Sequence, residues 1–153
     1  MTWLGTRCFL REYKIPEPVY TKMPVTQADL DAVKEQQKKA VTAFKNQDYD
    51  TLVKLHTEDS TFVPAGSKPI KGRETLGKVV EQGSKTGIAE LKMSSGELQI
   101  MGEYIFDTHE TQLFDKDGKV MDTMNTAIIW RKEPDGQWLI YFEMANSQTP
   151  PKR

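Results

Sequence analysis

The chain has 153 residues, 37% of them hydrophobic and 28% charged, with a formal net charge of −1. That is enough for one domain with a single core and a wet surface. Lysines and arginines are scattered, so there is no basic face for nucleic acid, and no apolar run approaches the roughly 18–20 residues that span a bilayer; neither is expected as a partner.

The single cysteine, Cys8, excludes an internal disulfide and a cysteine-rich metal site. It fits a reducing compartment, and a cytoplasmic protein is expected. Residues 1–25 read as a flexible leader broken by Pro16, Pro18 and Pro24. The alternative is a mitochondrial targeting segment, because Arg7, Arg11 and Lys14 alternate with Trp3, Leu4, Phe9 and Leu10. Thr26 followed by Asp29 predicts a capped helix start. Leu30, Val33, Gln37, Ala40, Val41 and Phe44 then fall on one helical face. Gln37 inside that stripe is either a pocket residue or an edge residue reaching solvent. Asn46-Gln47-Asp48 breaks the helix, and Tyr49 to His56 forms a short second one. Asp59 to Val63 is a strand ended by Pro64-Ala65-Gly66, and a third helix runs from Thr75 to Lys85 with Leu76, Val79 and Val80 inward.

Everything from Ile88 on is strand-like. Runs 88–93, 97–101, 104–114, 119–132 and 137–147 are separated by Ser-Ser-Gly, Gly102, Asp-Lys-Asp-Gly and Pro-Asp-Gly turn chemistry. The first two runs read as one long strand bent by a bulge at Ser94-Ser95-Gly96. The last run is apolar on both faces from Trp138 to Phe142, as a doubly buried central strand would be, and Glu143 interrupts it. Residues 149–153 read as a disordered tail. Helices first and antiparallel strands after predict an α+β fold.

The stretch AFKNQDYDTLVKLHTEDSTFVPAG, then PIKGRETL, then IIWRKEPDGQWLIYFEMANS, resembles a nuclear transport factor 2-like domain. Within that superfamily it is most similar to the SnoaL-like domains of unknown function, related to the association domain of calmodulin-dependent kinase II. The similarity covers residues 26–148. It implies a cone-shaped, curved antiparallel sheet packed on three N-terminal helices, a pocket inside, and a homodimer formed through the convex sheet face. Such scaffolds carry isomerases, dehydratases, cyclases and assembly modules alike, so the fold leaves the function open.

Ketosteroid isomerase chemistry on this fold needs a carboxylate base and two acidic oxyanion donors. The resemblance puts those positions at Pro64, Ala40 and near Ile128, none of which can serve. No metal or cofactor is expected, because His56 and His109 lie on separate elements without ligand spacing. His56 reads as a core or helix-edge residue. His109 alternates with Asp107 and Thr111 on a strand face that is either surface or pocket. Alternation places Leu139, Tyr141 and Glu143 on one face of the last strand, and the resemblance makes that face the concave one. Met124, Thr126, Ile128 and Trp130 share it from the neighbouring strand, and Phe44 and Phe62 close the narrow end.

Glu143 is the one candidate acid or base. It either handles a proton or holds a polar ligand group, or it pairs structurally at the strand's end. The expected function is binding of a small, apolar molecule with a polar tip. The alternatives are an enzyme of cyclase or dehydratase type, with Tyr141 or Thr126 orienting the substrate, and an oligomerisation module.

Overall fold

The computed structural model describes residues 24–94 and 96–149, without the side chains of residues 82–84. Apart from Pro24, Val25 and Thr149, the expected leader and tail lie outside the described residues, as do Cys8 and Ser95.

Helix α1 (Gln27–Lys45) begins where the capping residues predict. Thr26 Oγ1 accepts from the Asp29 backbone N–H, and Asp29 Oδ2 accepts from the Thr26 N–H at 2.9 Å. This reciprocal arrangement satisfies two donors that a helix start otherwise leaves open. Helix α2 (Tyr49–Lys54) is capped by Asp48, whose side chain accepts from Thr51 N–H. It stops before His56, which the sequence placed in the helix and which instead opens strand β1 (His56–Val63). Strand β2 (Ile70–Lys71), helix α3 (Arg73–Gly83), a 3-10 turn (Ser84–Thr86) and β3 (Ile88–Met93) follow. Strands β4 (Glu97–Met101), β5 (Tyr104–Asp115), β6 (Val120–Lys132) and β7 (Trp138–Ser147) complete the sheet.

The sheet order is β2-β1-β7-β6-β5-β3, with β4 also paired to β5. The expectation of a wholly antiparallel sheet needs one correction, because β1 and β7 run parallel. Strands β3 and β4 pair with successive stretches of β5, forming the predicted bent strand. Ser94 holds the bend: its N–H donates to Glu110 O at 2.8 Å and its hydroxyl accepts from Glu110 N–H at 3.0 Å. Gly96 is required beside it, since a Cβ there would stand 2.5 Å from the Thr108 carbonyl oxygen.

Val33, Ile105, Ile128, Trp130, Trp138 and Ile140 form the buried core between α1 and the sheet. Asp29 fastens that packing at one end. Its Oδ1 accepts from Trp138 Nε1 at 2.9 Å and from Lys132 Nζ at 2.8 Å. The residue that caps α1 therefore also ties it to the β6–β7 hairpin, and the Lys132 ammonium holds its carboxyl far below the usual carboxylate range.

On the sheet's outer side, Arg131 donates to both oxygens of Asp59, at 2.8 and 3.0 Å, and lies over the Tyr141 ring. That bidentate pairing lowers the Asp59 carboxyl from 3.8 to about 2. A depressed folded-state value contributes stability that is fully present above the unfolded value and is lost as pH falls through the folded one. Melting temperature is therefore expected to drop between pH 4 and pH 2. Asp59→Asn should be less stable than the parent at neutral pH and lose less over that acid window. Equal acid limbs in the two proteins would show that this pair contributes nothing.

Candidate functional site

Between the concave face of the sheet and the helices lies a cavity of about 450 Å³ with chiefly apolar walls. Helix α1 supplies Gln37, Ala40 and Phe44; helix α3 supplies Leu76, Val79 and Val80; β3 supplies Ile88, Leu91 and Met93. Met124, Thr126, Ile128 and Trp130 all face it from β6, where alternation runs unbroken. Phe44, Phe62 and Glu143 also line it, as the sequence predicted.

Leu139 and Tyr141 do not. In the β6–β7 ladder Ile129 is opposite Phe142 and Trp130 is opposite Ile140, so Tyr141 is an extra residue in β7. Such a bulge moves every later side chain to the other face. Ile140 therefore lines the cavity before the bulge and Glu143 and Ala145 line it after. Tyr141 lies on the outer face, stacked 6.1 Å from Tyr104.

Two histidine–carboxylate pairs are built into these walls. The first is His56 and Glu143, with Nε2 and Oε2 3.1 Å apart. The His56 Nδ1 lies 3.0 Å from the Leu52 carbonyl, which can only accept, so Nδ1 carries a proton. The Nε2–Oε2 contact then holds one further proton, on the ring or on the carboxyl. Both ring nitrogens are thereby used, and His56 is a buried partner of Glu143 rather than a packing residue of a helix edge.

The second pair is Asp107 and His109, with Oδ1 and Nδ1 3.0 Å apart. Asp107 is completely buried. Its Oδ2 accepts from Gln37 Nε2 at 2.8 Å and from Trp130 Nε1 at 3.1 Å. Three N–H groups from α1, β5 and β6 thus converge on one carboxylate, which satisfies a charge that burial would otherwise make very costly. Gln37 is a pocket residue, and His109 faces the cavity rather than the surface. Above them, Thr111 and Thr126 hydroxyls are 3.3 Å apart. Asp107 is the residue that reading the sequence missed. The available signal was its place two residues before His109, which puts both side chains on one strand face.

No family model matches the sequence, and no curated protein matches it. Solved structures do. A nuclear transport factor 2-like protein with a cystatin-like fold from Novosphingobium aromaticivorans superposes with a TM-score of 0.72 at 14% identity, covering 81% of this chain and 84% of its own. A protein of Catenulispora acidiphila in complex with S-DNPA matches with a TM-score of 0.69 at 16% identity, covering 80% and 95%. A ketosteroid isomerase-like protein from Erwinia carotovora atroseptica matches with a TM-score of 0.67 at 17% identity, covering 82% and 100%.

The chain has the nuclear transport factor 2-like fold.

At these identities the likeness shows the architecture alone, and the chemistry must be read from this chain's residues. In this nuclear transport factor 2-like cone, Pro64, Ala40 and Ile128 all line the cavity, and none has an ionisable side chain. The ionisable groups come from other positions: α2 (Tyr49), β1 (His56), β5 (His109, with the buried Asp107 behind it) and β7 (Glu143). Among the described residues no group of three or more His, Cys, Asp or Glu side chains is placed to hold a metal ion. Likewise, among them no helix is long and apolar enough to cross a membrane.

Proposed function

We propose that the protein binds a small, largely apolar molecule with a polar tip in this cavity. The observation that carries the reading is Glu143, held by His56 against apolar walls enclosing about 450 Å³, the size and make-up of a small-molecule site. One structural neighbour was solved in complex with S-DNPA. Native mass spectrometry of the protein from its own source is expected to show a retained small molecule. Glu143→Gln should weaken that binding about tenfold or more, the worth of a hydrogen bond to a charged group. Protein that is always empty, and that no apolar probe stabilises against heat, would count against the site.

A second reading is acid–base catalysis at Glu143, favoured by the proton it shares with His56. Thr126 remains available to orient a substrate, whereas Tyr141 faces the wrong side. Turnover abolished by Glu143→Gln with ligand affinity retained would favour this reading. The absence of ionisable groups at Pro64, Ala40 and Ile128 argues against chemistry of the ketosteroid isomerase type.

We also propose a homodimer through the outer sheet face. An apolar row, Phe106–Ile129–Phe142, and a mixed one, Thr108–Ala127–Met144, cross it, set by the strand registers. Sedimentation should give a dimer at micromolar concentration, and a monomer at high concentration would remove the proposal.

A further inference from the structure

The cavity's second pair, Asp107 and His109, has a polarity that the first lacks. Asp107 accepts from Gln37, Trp130 and His109, so its oxygens are all used. Its contact with His109 places the ring proton on Nδ1, since a carboxylate can only accept. In the neutral ring Nε2 is then an acceptor, and among the described residues it is the ring nitrogen left for an occupant of the cavity. The His109 side chain lines the cavity and is only 2% exposed. An acceptor in an apolar cavity wall favours an occupant that brings a donor. Glu143 lines the same cavity, and its Oε2 meets His56.

The register places these groups on one floor. Asp107, Ile128 and Glu143 form one row across β5, β6 and β7. With strands about 4.8 Å apart, the two carboxylate-bearing residues are separated by about 10 Å at Cα. Ile128 lies between them as an apolar seat, and His109 stands one row further along, opposite Thr126. An apolar skeleton resting on Ile128 and reaching His109 would meet an acceptor at Nε2, so the polar group it presents there must be a donor.

We infer that the cavity takes an apolar molecule bearing a weakly acidic hydroxyl, a phenol or an enol, and that His109 Nε2 accepts that hydroxyl's proton. In the transfer the O–H bond breaks, its electron pair stays on oxygen, and an N–H bond forms at Nε2. The resulting imidazolium lies against the Asp107 carboxylate, which offsets its charge. Gln37 and Trp130 are positioning residues, acting on His109 only through Asp107. This inference rests on the cavity being a ligand site.

The test compares 2-naphthol with 2-methoxynaphthalene, which keeps the ring system and removes the donor. Both are titrated into the full-length protein by calorimetry. We expect 2-naphthol to bind about tenfold more tightly, the worth of one hydrogen bond to an acceptor in the cavity wall. His109→Phe should abolish that preference while still binding the ether. A second measurement needs no variant. The ¹⁵N resonance of His109 Nε2 in the unaltered protein should leave the unprotonated range on adding 2-naphthol and stay there on adding the ether. Equal affinities with an unmoved resonance would overturn the inference and leave the cavity reading intact. A preference that survives His109→Phe would overturn it too, because the hydroxyl would be read elsewhere. If neither compound binds, both readings fall.

Discussion

Replacing Asp107 by alanine is expected to lower the unfolding free energy by about 3–5 kcal/mol, the usual cost of removing one partner from a buried charged network. The change strands three N–H donors at once, on the half-buried Gln37 and the buried His109 and Trp130. Asp107→Asn keeps one acceptor oxygen and should lose less, about 1–3 kcal/mol. Gln37→Leu removes a donor and leaves Asp107 two others, so it should cost about 1 kcal/mol. Because these side chains share one carboxylate, Asp107→Ala and Gln37→Leu should be markedly non-additive. Urea denaturation of the four variants against the parent measures all of this. An Asp107→Ala protein as stable as the parent would mean that the network does not close in solution.

Trp138→Ala should cost a similar amount, about 3–5 kcal/mol, as expected for deleting a large buried aromatic side chain. The indole is 2% exposed and fills the core between α1 and β7. It also donates to Asp29, the residue that caps α1, and the Lys132 ammonium lies 6.0 Å from its ring. Losing it therefore loosens the helix start as well as the core. Trp138→Phe keeps most of the packing and loses the indole donor, so it should fall by about 1 kcal/mol. Thermal unfolding checks the order Ala below Phe below parent. If the phenylalanine variant is as damaged as the alanine one, the Asp29 contact matters more than the packing. The aspartate would then be the main fastening of α1 to the sheet.

The two replacements probe different layers of the same wall. Asp107 sits behind the cavity wall and orients the ring of His109, whereas Trp138 belongs to the core and does not line the cavity. Loss of function with retained stability is therefore expected only from residues at the cavity surface, such as Glu143 and His109. Loss of both is expected from the residues behind them.

Much of this arrangement was legible in the order of residues because the interactions behind it are local. Thr26 and Asp29 mark the start of α1, since capping links residues three apart. Strand β6 alternates without interruption from Met124 to Trp130, so its inward face could be read directly. Four cavity residues followed from it. The bend between β3 and β4 was marked by Ser-Ser-Gly, where Gly96 alone tolerates the approach of Thr108.

What only the tertiary structure decided depends on contacts between distant segments. From Trp138 to Phe142 every residue is apolar, so no break in periodicity marks the extra residue at Tyr141. The bulge appears only in the pairing with β6, and it exchanges Leu139 and Tyr141 for Ile140 on the cavity wall. The contact between His56 and Glu143 spans 87 positions and follows from β1 running parallel beside β7, a pairing that hydrophobic pattern does not encode. Asp107 looked like one of several acids on a strand. Its partners come from α1 and β6, and only when those elements close over it does an ordinary aspartate become the buried anchor of the site.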